Sequence, residues 1–117
     1  MKNSQVYSKS FELSKRIIVV YRKLKRDKEF ILSKQLLRSD TSVGANIAEA
    51  NSAISKKEFS SKMSFAYKEI TESIYWIELL HSTEFISESE RDFLLPLSNE
   101  ISKMPCAIIR SCRKFDN

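Results

Sequence analysis

With one glycine and two prolines in 117 residues, the chain has too few turn-forming residues for an all-β fold, which needs a turn about every ten residues. Its composition, 42% hydrophobic and 30% charged, excludes a wholly disordered chain and is typical of amphipathic helices in one domain. The net charge of +5 is unevenly distributed, because residues 1–28 carry nine Lys and Arg against two acidic residues.

Targeting and membrane segments are not predicted. The first ten residues lack the apolar segment of a signal peptide, and the longest apolar run, residues 17–21, is far too short to span a membrane. Cys106 and Cys112 are six positions apart, so on a helix they point about 240° apart and cannot pair or share a metal ion. We therefore expect a cytoplasmic protein with free thiols and no membrane partner.

Two amphipathic helices are predicted in the first half of the chain, from about Tyr7 to Arg26 and from about Glu29 to Asn51. Residues 27–28 are the expected connection between them. The predicted core positions are Leu13, Ile17, Val20, Tyr21 and Leu24 in helix one and Leu32, Leu36, Val43, Ile47 and Ala50 in helix two.

Helix three, from about Lys56 to Ser82, has the clearest periodicity in the sequence. Its apolar positions alternate spacings of four and three, which is the pattern of a continuous seam facing neighbouring helices. The seam consists of Phe59, Met63, Ala66, Ile70, Ser73, Ile77 and Leu80. Ser55 and Glu58 have the spacing of a capping box at its start.

A second capping box, Ser87 with Glu90, predicts the start of helix four, which continues to about Lys114. Pro96 and Pro105 fall inside it, so the helix should be kinked or interrupted. Its predicted core positions are Leu94, Leu97, Ile101, Met104 and Ile108. Because the connections are short, we expect an all-α, up-down-up-down antiparallel four-helix bundle that forms one domain over residues 1–117.

A second apolar stripe on helix three lies nearly opposite the seam. Phe65, Trp76 and Leu79 project there, with Glu69 and Glu72 among them. An isolated bundle should be polar on that side. Either the stripe is an oligomer interface, where large aromatic residues are favoured, or Trp76 is buried against helix two or under a loop.

Polar residues also recur along one side of helix two. They are Gln35, Arg38, Ser42, Asn46 and Glu49. If helices two and three are antiparallel, we expect Arg38 to pair with Glu69 or Glu72, and Asn46 to meet Ser60 or Ser61. Such a network favours one register and one set of partners, and we prefer this structural role to a ligand site.

A basic stripe follows one face of helix one. Its members fall within an arc of about 120°, interrupted only by Glu12 and Val19. They are Lys15, Arg16, Arg22, Lys23 and Arg26. The stripe could follow the phosphates of a nucleic acid, although a solvated basic helix face is the commoner explanation for such a pattern. Sequence motifs for base-specific recognition are absent.

Residues that would indicate an enzyme are scarce. His81 is the only histidine, and Gly44 as the only glycine excludes a glycine-rich phosphate loop. Glu49, Glu69 and Glu72 lack the Glu-x-x-His pairs of di-iron bundles. We therefore expect no catalytic activity, no metal, no cofactor and no small-molecule substrate.

The polar side of helix two also carries a family resemblance. Residues 35–39 (QLLRS), 41–43 (TSV) and 45–50 (ANIAEA) resemble the signature of the bacterial four-helix-bundle proteins encoded by intervening sequences in 23S ribosomal RNA genes. In helix three the similar positions are Phe59, residues 66–69 (AYKE), Glu72, residues 75–76 (YW) and residues 79–80 (LL). The likeness extends from about Phe11 to Arg113. Ala50 departs from it where many members have glycine, and so do the prolines of helix four.

The resemblance implies a homopentamer of antiparallel bundles and a link to ribosomal RNA. A structurally similar relative, the accessory protein of diversity-generating retroelements, is a basic pentamer that works with nucleic acid. From sequence we therefore expect a scaffold or accessory factor that assembles with itself and contacts RNA or DNA. The alternative is a protein–protein interaction module that binds no nucleic acid.

Overall fold

Four α-helices make up almost all of the computed structural model, which describes the backbone of residues 4–116 and the side chains of residues 4–111. They are α1 (Ser4–Arg26), α2 (Leu32–Asn51), α3 (Lys56–Ser82) and α4 (Glu88–Asp116). The predicted end of helix four near Lys114 agrees to within two residues, whereas the Cys112 side chain lies outside the described part. Within that part, no helix is long and apolar enough to cross a membrane.

Contacts between the helices define the topology. α1 and α3 each contact both α2 and α4, while the diagonal pairs do not touch within the described residues. The α2–α3 interface is the most extensive and the α1–α4 interface the thinnest. With helices in this order around an elongated body of 47 × 22 × 21 Å, the expected four-helix bundle is confirmed.

The core lies where the helical periodicity predicts it. All seven seam positions of α3 are buried. In the other helices the predicted positions are buried, except that Tyr21, Leu32, Leu97, Met104 and Ile108 are only partly buried. Val6 and Ile86 are also buried in the core, which was not predicted. Val6 was missed because α1 begins three residues earlier than expected.

Both predicted capping boxes are present. At α3 the Glu58 N–H donates to Ser55 Oγ at 3.1 Å, and the Glu58 carboxylate accepts from the N–H of Ile54 at 3.4 Å. At α4 the exchange is fully reciprocal: the Glu90 N–H donates to Ser87 Oγ at 3.1 Å and the Ser87 N–H donates to Glu90 Oε1 at 2.8 Å. These bonds satisfy N–H groups that a helix start otherwise leaves free.

The prolines do not interrupt helix four. α4 continues through both Pro96 and Pro105, so interruption was the wrong expectation, and a kink at either residue stays a prediction. Each proline removes one N–H donor from the helix. Pro105 is buried and Pro96 is exposed.

The α1–α2 and α3–α4 connections lie at the same end of the bundle and share one geometry. Lys28 (φ 64°) and Glu84 (φ 67°) adopt the left-handed conformation just after their helices. The Lys28 and Glu29 N–H groups donate back to the carbonyls of Lys25 and Leu24, at 3.0 and 2.9 Å. This paired bonding is a Schellman motif, which fixes the path of the chain as it leaves a helix.

Candidate functional site

The first part of the basic stripe is partly neutralised from within the chain, because Lys15 and Arg16 share the carboxylate of Glu12. Lys15 Nζ lies 2.9 Å from Glu12 Oε2, and Arg16 Nε lies 3.5 Å from Glu12 Oε1. The hydrogen bond from Lys15 is the main reason that the pKa of Glu12 lies below its usual value. The Arg16 guanidinium also stacks over the Phe93 ring of α4, 4.1 Å from its centroid. Neither cation is fully available to a phosphate.

The second part of the stripe contains both paired and free cations. Lys23 Nζ donates to Glu90 Oε1 at 2.6 Å, so it joins α1 to the carboxylate that caps α4. Arg22 and Arg26 are exposed, and neither has an ion pair or side-chain hydrogen bond with another described residue. Of the five predicted cations, these two keep an uncompensated charge.

Two lysines beyond the predicted stripe extend this free charge. Lys25 and Lys28 are exposed and have no carboxylate partner among the described residues, although Lys25 Nζ lies 5.3 Å from the centroid of the Tyr21 ring. Sequence reasoning omitted them because they fall off the 120° arc. Because the helix ends at Arg26, an arc drawn along one helix face does not predict which side chains are exposed in the last turn and in the connection. Asp27 is the one acidic residue among residues 22–28.

The expected pairing across α2 and α3 is present. Arg38 Nη2 donates to Glu72 Oε1 at 2.6 Å, and Arg38 Nη1 lies 3.6 Å from Glu69 Oε2. Trp76 Nε1 donates to the same Glu72 oxygen at 3.1 Å. The hydrogen bond from Arg38 is the largest influence holding the pKa of Glu72 below its usual value. Even so, the Arg38 side chain is 52% exposed, so the network lies at the rim of the helix interface.

Other members of the predicted network behave differently. Asn46 Nδ2 donates to the carbonyl of Ser42 at 2.8 Å and to its hydroxyl at 3.2 Å, so the expected contact with Ser60 or Ser61 was wrong. The reason is the register between the two helices. α3 is shifted along α2 by about one helical turn relative to the predicted pairing, so the two serines lie beyond Asn46. The side chain of Gln35 bonds to no other described residue.

Two cross-helix contacts were not predicted. Ser39 Oγ and Ser73 Oγ lie 2.8 Å apart in the buried α2–α3 interface, and Lys62 Nζ lies 2.9 Å from Glu49 Oε2 at its edge. Ser73 is a seam position, which was expected to be buried but not to be hydrogen-bonded across the interface. A serine in an apolar seam is the signal that could have found the first contact, because a buried hydroxyl needs a partner.

The second stripe of α3 is divided between the core and the surface. Trp76 is half-buried against the core, in line with the burial alternative, and Leu79 is partly buried. Phe65 and Tyr75 are exposed, and the Tyr75 ring meets the Trp76 ring edge-on with centroids 5.1 Å apart. An apolar surface therefore remains on α3, centred on Phe65 and Tyr75.

Asp40, between the family-like segments of α2, was missed. It is 1% exposed, and neither carboxylate oxygen has a hydrogen-bond partner of normal geometry among the described residues. Burial raises its pKa to about 7, and the nearby Ser14 hydroxyl of α1 offsets only part of the rise. The carboxyl group faces α1, where Gly44 also approaches Ser10 and Ser14.

The described side chains offer little that resembles catalytic chemistry. No three His, Cys, Asp or Glu residues among them are grouped so that they could hold a metal ion. A pocket between the start of α1 and the end of α2 is lined by uncharged residues, namely Ser4, Tyr7, Ala48, Asn51 and Ser52. His81 is half-buried in the last turn of α3.

Comparison with known proteins adds the decisive observation. The family model described as 23S rRNA-intervening sequence protein matches residues 2–107, which include the whole polar side of α2 and the seam of α3. The chain belongs to this family. A solved structure of similar fold is a protein with unknown function from the S23 ribosomal protein family of Bacteroides thetaiotaomicron VPI-5482. It is 45% identical with a TM-score of 0.85, and the alignment covers 89% of this chain and 97% of that one. The comparison with curated proteins gave no match.

Membership of the 23S rRNA-intervening sequence family confirms the resemblance drawn from the sequence. The Arg38–Glu72 and Ser39–Ser73 contacts both lie within the matched range. Of the motif residues of α2, Arg38, Ser39 and Glu49 thus contact α3, and the preference for a structural role over a ligand site stays a prediction. Arg22 and Arg26 lie within the same range but have no ion pair or side-chain hydrogen bond with another described residue.

Proposed function

We propose that this family member is a non-enzymatic homo-oligomer, pentameric as the family resemblance implies, that acts as a scaffold or accessory factor. In this proposal it binds ribosomal RNA or another nucleic acid through the basic face of α1. The observation that carries the proposal is that Arg22 and Arg26 are exposed and lack a carboxylate partner among the described residues, whereas Lys15 and Arg16 share Glu12 and Lys23 pairs with Glu90.

Free and paired cations differ in what they contribute to binding. A free cation that meets a phosphate releases a condensed counterion and gives up only hydration. A paired cation must first separate from its carboxylate, which offsets much of the gain. The effective surface is therefore the last turn of α1, around Arg22 and Arg26, together with the neighbouring Lys25 and Lys28. Several copies in one ring would multiply a weak attraction by effective concentration.

The test is binding of a structured RNA hairpin at about 50 and 200 mM salt, because phosphate contacts predict a steep loss of affinity as salt rises. The double variant Arg22→Gln/Arg26→Gln should weaken binding at low salt and reduce the slope of log affinity against log salt. Lys15→Gln/Arg16→Gln is the matched control, with the same charge change at two cations that share the Glu12 carboxylate, and should lose less. Lys23 is left unchanged because it holds the α4 cap.

Equal losses in both double variants would mean that only the total charge matters and would refute a surface at the end of α1. A wild-type protein with no affinity for the hairpin even at 50 mM salt would reject nucleic-acid binding altogether.

The surface supporting self-association is the exposed part of α3, which carries Phe65 and, ten residues further on, Tyr75 in contact with the half-buried Trp76. Light scattering on wild type should give one oligomeric species, and Phe65→Ser or Tyr75→Ser should dissociate it. Phe11→Ser, an equally exposed phenylalanine on α1, is the control and should leave the assembly intact. A monodisperse wild-type monomer would refute the proposal.

The second candidate is a protein–protein interaction module without nucleic-acid binding. It is favoured by the ion pairs of Lys15, Arg16 and Lys23, which give most of the basic stripe a role within the bundle. This candidate predicts an intact oligomer with no RNA affinity at low salt, so the two measurements above separate the two functions.

A further inference from the structure

Two apolar side chains are exposed at the connection between α1 and α2. Phe30 is 58% exposed and Ile31 is 74% exposed. They directly follow the free cations at the end of α1, and Lys28, itself exposed, is two residues from Phe30. We call Arg22, Arg26, Lys28, Phe30 and Ile31 together the loop platform. In it an exposed aromatic residue follows, within two to eight residues of sequence, exposed cations that have no carboxylate partner among the described residues.

The connection that carries Phe30 is held at both ends. Before it, Lys28 and Glu29 close the Schellman motif on α1. After it, the Glu29 carboxylate accepts the N–H groups of Ile31, Leu32 and Ser33 at 3.2, 2.9 and 2.6 Å. Helix two was expected to begin at Glu29, but it begins at Leu32 because this carboxylate takes the N–H groups of its first turn instead.

The lowered pKa of the Glu29 carboxyl also indicates that the backbone of the α1–α2 connection is held in place. The side chain is buried, and burial alone would raise the pKa of its carboxyl. The hydrogen bonds from the Leu32, Ser33 and Ile31 N–H groups outweigh burial and hold the pKa below its usual value. An ionised, buried carboxylate with three donors anchors the backbone around Phe30. The backbone that carries the exposed ring therefore has little conformational freedom to lose on binding, which reduces the cost of a contact.

We propose that the loop platform binds a single-stranded segment of nucleic acid, with one base stacked on Phe30 and the flanking phosphates on Arg26 and Lys28. The inference rests on the proposed nucleic-acid function and specifies its ligand. A base inside a duplex has both faces covered by its neighbours, whereas an unpaired base has a face free to stack on an aromatic ring. Since every base has such a face, this contact tolerates any sequence.

An anionic lipid surface is the competing partner, since it too attracts apolar side chains flanked by cations. The apolar part of the loop platform argues against it. An amphipathic helix that binds an interface buries a long apolar face, whereas here two side chains on a short connection provide the apolar area of the loop platform. One rigid aromatic ring between cations suits a single base better than an acyl-chain boundary.

The experiment compares the affinity of the full chain for a single-stranded RNA and for a duplex of equal length, at about 50 mM salt. Phe30→Ala should weaken single-strand binding about 5- to 100-fold, the range for loss of one stacked base, and leave duplex binding unchanged. Phe30→Trp should retain the affinity because it can stack. Phe30→Leu should weaken single-strand binding as much as Phe30→Ala does, because leucine is apolar but has no aromatic face on which a base can stack.

Phe11→Ala is the matched control. Phe11 is 56% exposed and has Lys15 5.8 Å from its ring centroid, but it lies in the other half of α1, roughly 22 Å from Arg26 along the helix axis. It should bind both RNAs like wild type. Because Phe30 is exposed, none of its variants should change the thermal unfolding midpoint.

Two results would overturn the inference while leaving the proposed function standing. One is RNA binding that depends on Arg22 and Arg26 but is the same in Phe30→Ala and wild type. The other is a Phe30→Leu variant that binds single strands as well as wild type, which would show a purely apolar contact. Binding to vesicles with phosphatidylserine, lost in Phe30→Ala, together with no affinity for either RNA, would reject both the inference and the proposed function.

Discussion

Ser39 and Asp40 are adjacent in α2 and equally inaccessible to solvent, but they face different helices and differ in how their polar atoms are satisfied. Ser39 faces α3, where its hydroxyl meets Ser73 Oγ at 2.8 Å and the Leu36 carbonyl at 3.2 Å. Asp40 faces α1, where only Ser14 comes near and neither oxygen accepts a bond of normal geometry from a described residue. A hydroxyl can both donate and accept, so it finds partners in a helix interface that a carboxylate does not.

This difference predicts that the two faces respond differently to pH. The pKa of Asp40 is raised to about 7 in the folded protein, chiefly by burial, from 3.8 for an exposed aspartate. The folded state therefore holds a proton that the unfolded state has released between these values, and stability falls as pH rises through the window. Above pH 7 both states are ionised and the contribution of Asp40 is fully lost. Ser39 and Ser73 do not titrate, so their hydrogen bond is insensitive to pH.

The largest expected effect is that of Asp40→Asn on the pH dependence of stability. Between pH 5 and pH 8 the wild-type protein should lose about 3 kcal/mol of unfolding free energy through Asp40, whereas the variant should lose almost none. The carboxyl groups with a lowered pKa, such as Glu72, are ionised throughout this range. Urea unfolding at the two pH values measures the difference. Asp92→Asn, an exposed aspartate, is the control, and a variant slope equal to that of wild type would contradict the assignment.

The next effect concerns the satisfied face. Ser73→Ala should cost about 1–2 kcal/mol, because it leaves the buried hydroxyl of Ser39 with one partner fewer. The double variant Ser39→Ala/Ser73→Ala should cost less than the sum of the two single variants, since the second substitution removes the group that the first left unsatisfied. Urea unfolding of all four proteins gives the coupling energy. Strictly additive losses would show that the two hydroxyls do not interact.

Arg38→Ala should have a smaller effect than its position in the family motif suggests. The side chain is half exposed, and Glu72 keeps its hydrogen bond from Trp76, so the loss should be about 1 kcal/mol or less. Arg38→Met is a useful companion, because it keeps the apolar stem without the charge. A loss of several kcal/mol in thermal or urea unfolding would mean that another copy covers Arg38 in the assembly and leaves Glu69 and Glu72 buried without a cation.

The smallest effect is expected at the edge of the same interface. Glu49 and Lys62 form a cross-helix pair at 2.9 Å, but the Glu49 side chain is 60% exposed. Lys62→Ala should therefore change the unfolding free energy by no more than a few tenths of a kcal/mol, and high salt should remove even that. A larger, salt-resistant loss would place this edge inside an assembly.

Periodicity predicted most of the fold, because burial follows directly from helical spacing. The seven seam positions of α3 are the clearest case, and the pairing of Arg38 with Glu69 and Glu72 followed from antiparallel packing. Asp40 was missed because its charge was taken to indicate the solvent side, although its spacing, four residues after Leu36 and three before Val43, places it on the buried side of α2. The connection around Glu29 and Phe30 was missed because the Glu29 carboxylate accepts N–H groups at the start of helix two. The spacing of apolar residues does not show such a hydrogen bond.

The order of contacts around the bundle has a consequence for folding kinetics. Most interfaces join helices that follow each other in the chain, and the one that joins the two ends of the sequence, α1–α4, is the thinnest. Helical bundles dominated by such local contacts fold in microseconds to milliseconds. The extensive α2–α3 hairpin is the natural place for folding to begin, and the α1–α4 interface should form last. Substitutions in the α2–α3 seam should therefore slow refolding, and those in the α1–α4 interface should mainly accelerate unfolding.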